Sequence, residues 1–371
     1  MRTDYYLYVK PSVEHSFPYQ TAQNWANAAA KELEGKLLEQ LTVKKSDIIV
    51  KPYFTQADVP TSIGATLPVS TQLYGGARHW VNMPKVKVTD AKQANQQALT
   101  HLQNGADGIY FDLTNVSAEA GSLLDQIEWP YCSVSFLAND SSVDFLKSVY
   151  AFAEKKFKEK LLNGNVFWKD SPDLEIVDTF KSWNSFQSAG LIIPTGDNKA
   201  YEIASGLHHA VIQIERLQQQ GLSSFEAINQ ISFSISVGND FFLEVVKLRV
   251  WRMLWRTILG AYQINPAKEI FIHAHSPAWG SPSFQPHGNL IHETYSSMAA
   301  ILGGCDGLTL EPEDFNSAMM VRMARNTSSV LREESFLSQV ADPLAGSYYI
   351  ESLTHQLAEQ TWKKFQELAA K

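Results

Sequence analysis

One segment in the C-terminal half of the chain alternates strictly between apolar and polar residues. Residues 231–237 read Ile-Ser-Phe-Ser-Ile-Ser-Val, which puts Ser232, Ser234 and Ser236 on one face of an extended strand. The surrounding sequence alternates between strand-like and helix-like segments, and this order predicts a parallel sheet covered by helices. Strands in such sheets are usually apolar on both faces. The serine face therefore needs a special position, and the interior of a closed barrel provides one.

Two further segments repeat the alternation. Residues 270–275 put His273 and His275 on one face with apolar residues on the other, and residues 131–136 do the same with two more serines. If the sheet closes, these faces point at the barrel axis. We therefore predict a barrel interior that is partly small and polar, and suited to a threaded polar ligand.

The order of elements along the chain indicates which barrel this is. A helix-like stretch at about 21–40 and a loop region rich in Pro, Gly, Thr and Ser come first, and about eight strand-like units separated by helices follow. This predicts an α/β fold, a (β/α)8 TIM barrel with an N-terminal helical arm. We place the arm and loop region at residues 1–85 and the barrel at residues 86–371. The strand-like units are 108–112, 131–137, 165–168, 190–193, 231–237, 270–275, 306–310 and 346–350.

Composition excludes several classes of function. Of the 371 residues, 44% are hydrophobic and 19% are charged, which indicates a globular protein with a large core. The formal net charge of −8 speaks against a nucleic-acid partner. No stretch is apolar and long enough to span a membrane, and no apolar signal core follows the N-terminus. The two cysteines have no metal spacing and read as reduced thiols, so we expect a cytoplasmic protein.

Candidate functional residues lie where predicted strands end. His273 and His275 have the spacing of a metal pair, but no third ligand is evident, which favours a hydrogen-bonding pair at the barrel mouth. Glu311 follows a strand at the end where barrel active sites lie, although an acid before a helix is also an ordinary helix start. Residues 303–307, Gly-Gly-Cys-Asp-Gly, follow a helix and favour helix termination over a phosphate loop.

One predicted amphipathic helix in the C-terminal half, at about residues 240–262, carries several basic residues. They are Lys247, Arg249, Arg252 and Arg256. We expect them to lie on a solvated face, with the exception of Arg249.

Two long, ordered segments resemble the methylmalonyl-CoA mutase family. The first begins Phe-Phe-Leu-Glu-Val-Val-Lys-Leu-Arg at residue 241, and the second runs over residues 322–354 and contains Ala-Asp-Pro-Leu-Ala-Gly-Ser-Tyr-Tyr. Weaker matches extend along the whole chain, and His275-Ser276 is similar to the family's His-Ser after a barrel strand. The resemblance implies a barrel that admits the pantetheine arm of coenzyme A. It also implies a second domain that carries adenosylcobalamin, and radical interconversion of methylmalonyl-CoA and succinyl-CoA.

Departures from the family pattern point to its smaller, non-catalytic chain. The family's Gly-Tyr-His run has no counterpart at residues 195–199, Gln230 stands where the family has an arginine, and Pro277 stands where it has a glutamine. The missing histidine would remove a contact to the thioester oxygen. The chain also ends after its last predicted barrel helix, with no segment left for a cobalamin domain. We therefore expect a chain that is inactive alone and has no catalytic residue of its own.

The resemblance implies a heterodimer with a catalytic large mutase subunit, and adenosylcobalamin reaches the complex only through that partner. Two alternatives stay open. One is a split acyl-CoA mutase barrel that binds acyl-CoA and receives cobalamin from a separate chain. The other is a metal-dependent barrel enzyme. Tyr110, Phe167 and Leu191 would fill the channel if they project inward. The candidate barrel-mouth or acyl-CoA-lining residues are Tyr74, Arg78, Ser232, Ser234, Ser236, His273, His275, Ser276 and Glu311.

Overall fold

The computed structural model describes residues 20–34, 38–60, 67, 76–116, 119–158, 161–264, 269–276 and 288–371. Within these ranges the α-helices are α1 Ala22–Glu32, α2 Ala91–Gln103, α3 Ala120–Leu123, α4 Val143–Lys156, α5 Leu174–Phe180, α6 Lys199–Gln219, α7 Ser224–Gln230, α8 Phe241–Ala261, α9 Gly288–Gly303, α10 Ala318–Glu333 and α11 Tyr348–Ala369. The strands are β1 Val43–Lys45, β2 Ile48–Val50, β3 Val81–Asn82, β4 Lys85–Lys87, β5 Gly108–Asp112, β6 Ser133–Ala138, β7 Gly164–Trp168, β8 Phe186–Ile193, β9 Ile231–Ser236, β10 Ile272–His275 and β11 Gly307–Thr309.

The strands from β3 to β11 form one parallel sheet that closes on itself. The sheet order is β3-β11-β10-β9-β8-β7-β6-β5-β4. Its two end strands are halves of one chain segment, interrupted only at Met83 and Pro84. Met83 N donates to the Leu308 carbonyl of β11, and the Pro84 carbonyl accepts from Tyr110 N of β5. The segment is therefore bonded on both sides, and the predicted (β/α)8 barrel is confirmed, with helix α1 in the arm before it.

The eighth strand is not where the sequence pattern predicts it. The prediction of a strand at 346–350 is wrong, because helix α11 begins at Tyr348 with Ser347 as its N-cap. The missing strand is the interrupted β3–β4 segment, and the domain boundary proposed between residues 85 and 86 falls inside β4. Pro84 has no N–H to give to a sheet ladder, which explains the interruption.

Helix α8 lies inside the helical layer, between α11 and α9. The expected solvated face is therefore wrong for Lys247 and Arg252, which are buried. Arg249 was expected not to lie on a solvated face, and it is buried. Arg249 pairs with Asp342 at 2.7 Å. Only Arg256 keeps an exposed side chain, 40% accessible, beside Glu269. Among the residues that the structure describes, no helix combines the length and the apolar character needed to cross a membrane.

The outward face of β9 anchors this layer. Phe233 packs its ring against Trp251 at 5.0 Å and against Trp255 at 5.4 Å, both on α8. Ile231 and Ile235 lie in the same cluster of buried apolar side chains. The serines between them must consequently face the other way, toward the barrel axis.

Candidate functional site

The predicted serine face does line the barrel interior. Ser232, Ser234 and Ser236 are all buried, at 0%, 1% and 5% exposure. Ser234 Oγ lies 2.9 Å from His273 Nδ1 on the neighbouring strand β10. The adjacent strands β6 and β7 repeat the arrangement, where Ser135 Oγ accepts from the backbone N–H of Asn165 at 3.0 Å.

Aromatic rings occupy the middle of the barrel axis. Tyr110 of β5 meets His273 edge-on at 4.9 Å between ring centroids, and Phe167 of β7 stacks on the same imidazole at 5.2 Å. Met83 and Leu137 lie in the same apolar cluster. The expectation that Tyr110 and Phe167 project inward is thus met. Leu191 instead belongs to the cluster that packs against the outer helices, so that part of the expectation is wrong.

The surroundings of Gly190 on β8 show how tightly the side chains on the barrel axis are packed. A Cβ at this position would lie 2.6 Å from the Phe167 ring and 2.8 Å from Ser232 Oγ. Interiors packed to this density hold no spare volume for a ligand chain. Side chains therefore fill the barrel axis at the level of His273.

A chain of hydrogen bonds fixes the protonation of His273. Thr309 Oγ1 donates to the Met83 carbonyl at 2.6 Å, so its other partner, His273 Nε2 at 2.8 Å, must be the donor to it. Nδ1 then accepts from the Ser234 hydroxyl, and Tyr110 also hydrogen-bonds to Ser234. Burial, with the nearby charges of His275 and Lys85, holds the pKa of His273 well below its usual value. The imidazole is neutral, and both of its nitrogens are used inside the barrel.

Three more candidates meet at the carboxyl ends of the strands. His275 Nδ1 donates to the Ser276 carbonyl at 3.2 Å, and Ser276 Oγ accepts from the backbone N–H of Glu311 at 2.9 Å. Glu311 pairs with Lys85 at 2.8 Å, and Lys85 also lies 3.7 Å from Asp112. Burial lowers the pKa of His275, although the Ser276 carbonyl and Glu311 oppose this. The mouth is thus a self-paired polar cluster.

Arg78, another candidate, does not join this cluster. Arg78 is buried and donates to the Cys305 carbonyl, just before β11 and therefore at the amino ends of the strands. Burial lowers the pKa of Arg78, and Asp306 opposes this. Tyr74 lies outside the described residues, as does Pro277.

Sequence reasoning missed a buried group of four charges beside the mouth. Lys247 Nζ lies 3.0 Å from Glu202 Oε1 and donates to the Ser236 carbonyl at 2.7 Å. Lys199 Nζ lies 2.9 Å from Glu244 Oε1 and 3.3 Å from Glu202 Oε2. These four residues, which we call the ion quartet, come from α6 and α8. Their i, i+3 spacing within each helix was a signal available in the sequence.

Two members of the ion quartet, Glu244 and Lys199, are held in their charged forms by their neighbours. Burial disfavours the charged form of Glu244, but Lys247 and Lys199 outweigh it and lower the pKa of this carboxyl. Burial likewise acts against the charge on Lys199, but Glu244 and Glu202 outweigh it and raise the pKa of its ammonium. Two positive and two negative groups therefore balance where solvent is excluded.

Sequence comparisons place this barrel among known proteins. A family model described as methylmalonyl-CoA mutase matches residues 177–371, which is more than half of the chain. The chain belongs to the methylmalonyl-CoA mutase family. It is 27% identical, over 96% of its length, to the methylmalonyl-CoA mutase small subunit of Porphyromonas gingivalis, of which it covers 64%.

Two more relatives in the mutase family show the same extent of similarity. The small subunit of Propionibacterium freudenreichii is 26% identical over 96% of this chain and 63% of that protein. The methylmalonyl-CoA mutase of Cereibacter sphaeroides is 27% identical over 93% of this chain and 58% of that protein. The chain spans less than two thirds of the length of these mutase relatives.

Membership of the mutase family implies the use of adenosylcobalamin, and the two histidines of strand β10 differ in whether they could act as a ligand to its cobalt. A cobalt ligand would need an imidazole presented toward the cofactor. Both ring nitrogens of His273 are hydrogen-bonded, one to Ser234 and the other to Thr309. His275, whose ring lies 5.8 Å from that of His273, donates from Nδ1 to the Ser276 carbonyl, so its Nε2 is the one ring nitrogen of the pair that these bonds do not use. Among the described residues, no group of three or more His, Cys, Asp or Glu side chains is placed to hold a metal ion.

Proposed function

We propose that this chain is the small, non-catalytic subunit of a methylmalonyl-CoA mutase, and that it pairs with a large subunit that binds adenosylcobalamin and carries out the isomerisation. The observation that carries the proposal is the filled barrel axis. A pantetheine arm threaded along the axis would have to displace Tyr110, Phe167 and His273, which contact one another at the centre of the sheet.

The buried polar groups support the same proposal. In a substrate-binding barrel, polar atoms on the axis stay available to the ligand. Here Ser234 and His273 bond each other, and Glu311 pairs with Lys85. The ion quartet lies beneath Gly196, whose N–H donates to Glu202 Oε2 at 3.1 Å, in the segment where the family's histidine run has no counterpart. The chain contributes a rigid barrel, and its partner contributes the chemistry.

The proposal is tested by co-expression with a large methylmalonyl-CoA mutase subunit from the same source. We expect one stable heterodimer by size-exclusion chromatography with light scattering, and methylmalonyl-CoA isomerisation only in preparations that contain the large subunit. The isolated chain serves as the control, assayed with added adenosylcobalamin. A chain that never associates with the large subunit, or that isomerises the substrate alone, refutes the proposal. Micromolar binding of coenzyme A to the isolated chain would instead favour the split acyl-CoA mutase.

A further inference from the structure

A groove of about 880 Å³ lies between helices α2 and α10, beside the carboxyl end of β4. The charged residues among its described lining are all basic: Lys85, Lys87, Arg322 and Arg325. This is unexpected in a chain with a formal net charge of −8. Such a concentration of one sign raises the local concentration of anions.

Two buried arginines, Arg78 and Arg325, have no carboxylate partner among the described residues, and of these two only Arg325 lines the groove. Arg325 is 8% exposed, and its Nε donates to Asn326 Oδ1. Arg249 and Arg252, at 1% and 2% exposure, each have a carboxylate partner. Burial lowers the pKa of Arg325, and the like charge of Arg322 lowers it further. A buried cation without a counter-ion is costly, and an anion in the groove would offset that cost.

His101 of α2 supplies a second, independent observation. Its ring is 5% exposed and lines the same groove, and its Nδ1 is buried with no hydrogen-bond partner. Burial, with a further contribution from Arg325, lowers the pKa of His101 to about 4. The imidazole is therefore neutral at physiological pH, and Nδ1 is a polar atom that the protein leaves unsatisfied. Buried atoms of this kind are rare in native proteins and need a physical explanation, which a bound polar molecule would supply.

The chemistry of the lining selects the kind of anion. Arg322 and Arg325 stand at i, i+3 on one side of α10, and their planar guanidinium groups match phosphate oxygens in pairs. Lys87 lies 4.2 Å over the Phe315 ring at the groove edge, while Lys85 is already neutralised by Glu311. Three basic groups without a carboxylate exceed what a single carboxylate ligand would neutralise. The volume falls in the range of small-molecule sites.

We propose that the groove between α2 and α10 binds an organic phosphate of nucleotide size, with Arg322, Arg325 and Lys87 on the phosphates. The site lies on the helical side of the barrel and requires no partner chain. It therefore stands or falls independently of the proposed subunit role.

Calorimetric titration of the purified chain with inorganic pyrophosphate and with ATP, both without divalent metal, tests the proposal. We expect saturable single-site binding of at least one of these anions. Arg322→Gln and Lys87→Gln, both exposed positions whose substitution leaves the fold intact, should each weaken it by about tenfold. Arg256→Gln is the matched control, because Arg256 is also exposed but lies on α8 outside the groove. The absence of saturable binding, or an equal loss in the Arg256→Gln control, overturns the proposal.

Discussion

Replacing Lys247 by methionine is the sharpest single test of how this barrel is held together. The ammonium of Lys247 is fully buried and contacts Glu202, Glu244 and the Ser236 carbonyl. Methionine is unbranched and keeps most of the length of the side chain but removes its charge, which leaves one cation for two buried carboxylates. Removing one partner of a buried pair costs about 3–5 kcal/mol, mostly because the remaining charge stays desolvated.

That cost can be converted to a shift in melting temperature. An unfolding entropy of about 2.1 cal/mol/K per residue gives roughly 0.8 kcal/mol/K for a chain of this length, so we expect Tm to fall by about 4–6 °C. Urea titration followed by circular dichroism gives the free energy of unfolding directly, and calorimetry gives Tm. Lys181→Met is the control, because Lys181 pairs with Asp178 at an exposed site, where such pairs contribute about 0.2–1 kcal/mol.

The double variant Glu244→Leu/Lys247→Met checks the cause. Removing one charge of each sign leaves Lys199 facing Glu202, 3.3 Å apart, so the quartet remains balanced. We expect the double variant to be less destabilised than the sum of its two single variants, by about 1–3 kcal/mol. A Lys247→Met protein within about 1 kcal/mol of the wild type would show that Lys247 does not neutralise these carboxylates, and the reasoning would fail.

Two further predictions concern pH and packing. Because the pKa of Glu244 is lowered from 4.5 and that of Lys199 is raised from 10.5, the stability that each contributes is present between these values. It is lost in acid as pH falls through the depressed carboxyl pKa, and in alkali as pH rises through the raised ammonium pKa. In urea titrations from about pH 8 to about pH 3, the difference in stability between the wild type and Glu244→Gln should shrink as the pH falls below 4.5; a constant difference would contradict this. Separately, Gly206→Ala should lower the free energy of unfolding by about 1–3 kcal/mol, since the new Cβ would lie 2.5 Å from the buried Trp251 ring. Gly221→Ala is the comparison, because nothing lies within 4 Å of the new Cβ but φ is +96°, so this variant reports backbone strain without crowding. A neutral Gly206→Ala would show that the contact with Trp251 is not tightly packed.

The barrel could be predicted from the sequence because several strands alternate between polar and apolar residues, and a closed barrel buries both faces of such a strand. Alternating Ser and Ile, Phe or Val over 231–237 cannot be buried on both sides of a sheet unless the polar face finds partners inside. The interrupted strand β3–β4 was not predicted, because Pro84, Lys85 and Lys87 have the pattern of a loop. Only its pairing with β5 and β11 makes this segment a strand. The segment from 346 was mistaken for a strand because its aromatic and branched residues have high strand propensity, although they begin helix α11.

The pairing of charges within one helix could be read from the sequence, but their burial could not, for a different reason. A helical pattern shows which residues share a face, but it does not show whether another helix covers that face. Helix α11 packs on α6 and α8, and this contact between distant segments turns the basic face of α8 inward. The carboxylates that satisfy it, such as Asp342 and Glu351 for Arg249, are about ninety or more positions away in the sequence. Ion pairs of this range are set by the tertiary fold, and local spacing carries no trace of them.

The serine face that revealed the barrel also allows a test of whether it still serves a ligand. Ser234 is one link in the chain from Tyr110 to Thr309, so Ser234→Ala leaves His273 Nδ1 buried without a donor. This should cost about 1–3 kcal/mol in the free energy of unfolding. Ser232 Oγ, by contrast, is buried with no hydrogen-bond partner, and Ser232→Ala should be neutral or stabilising.

If the serine face of β9 served to bind coenzyme A, these two variants would give a different result. Both serines would then be expendable for stability, and both would be needed for binding of the acyl-CoA. Paired urea and coenzyme A titrations of the two variants decide between these outcomes. If Ser234→Ala is as stable as Ser232→Ala, the hydrogen-bonded side chains do not hold the axis closed, and the inference that the interior has become part of the core is refuted.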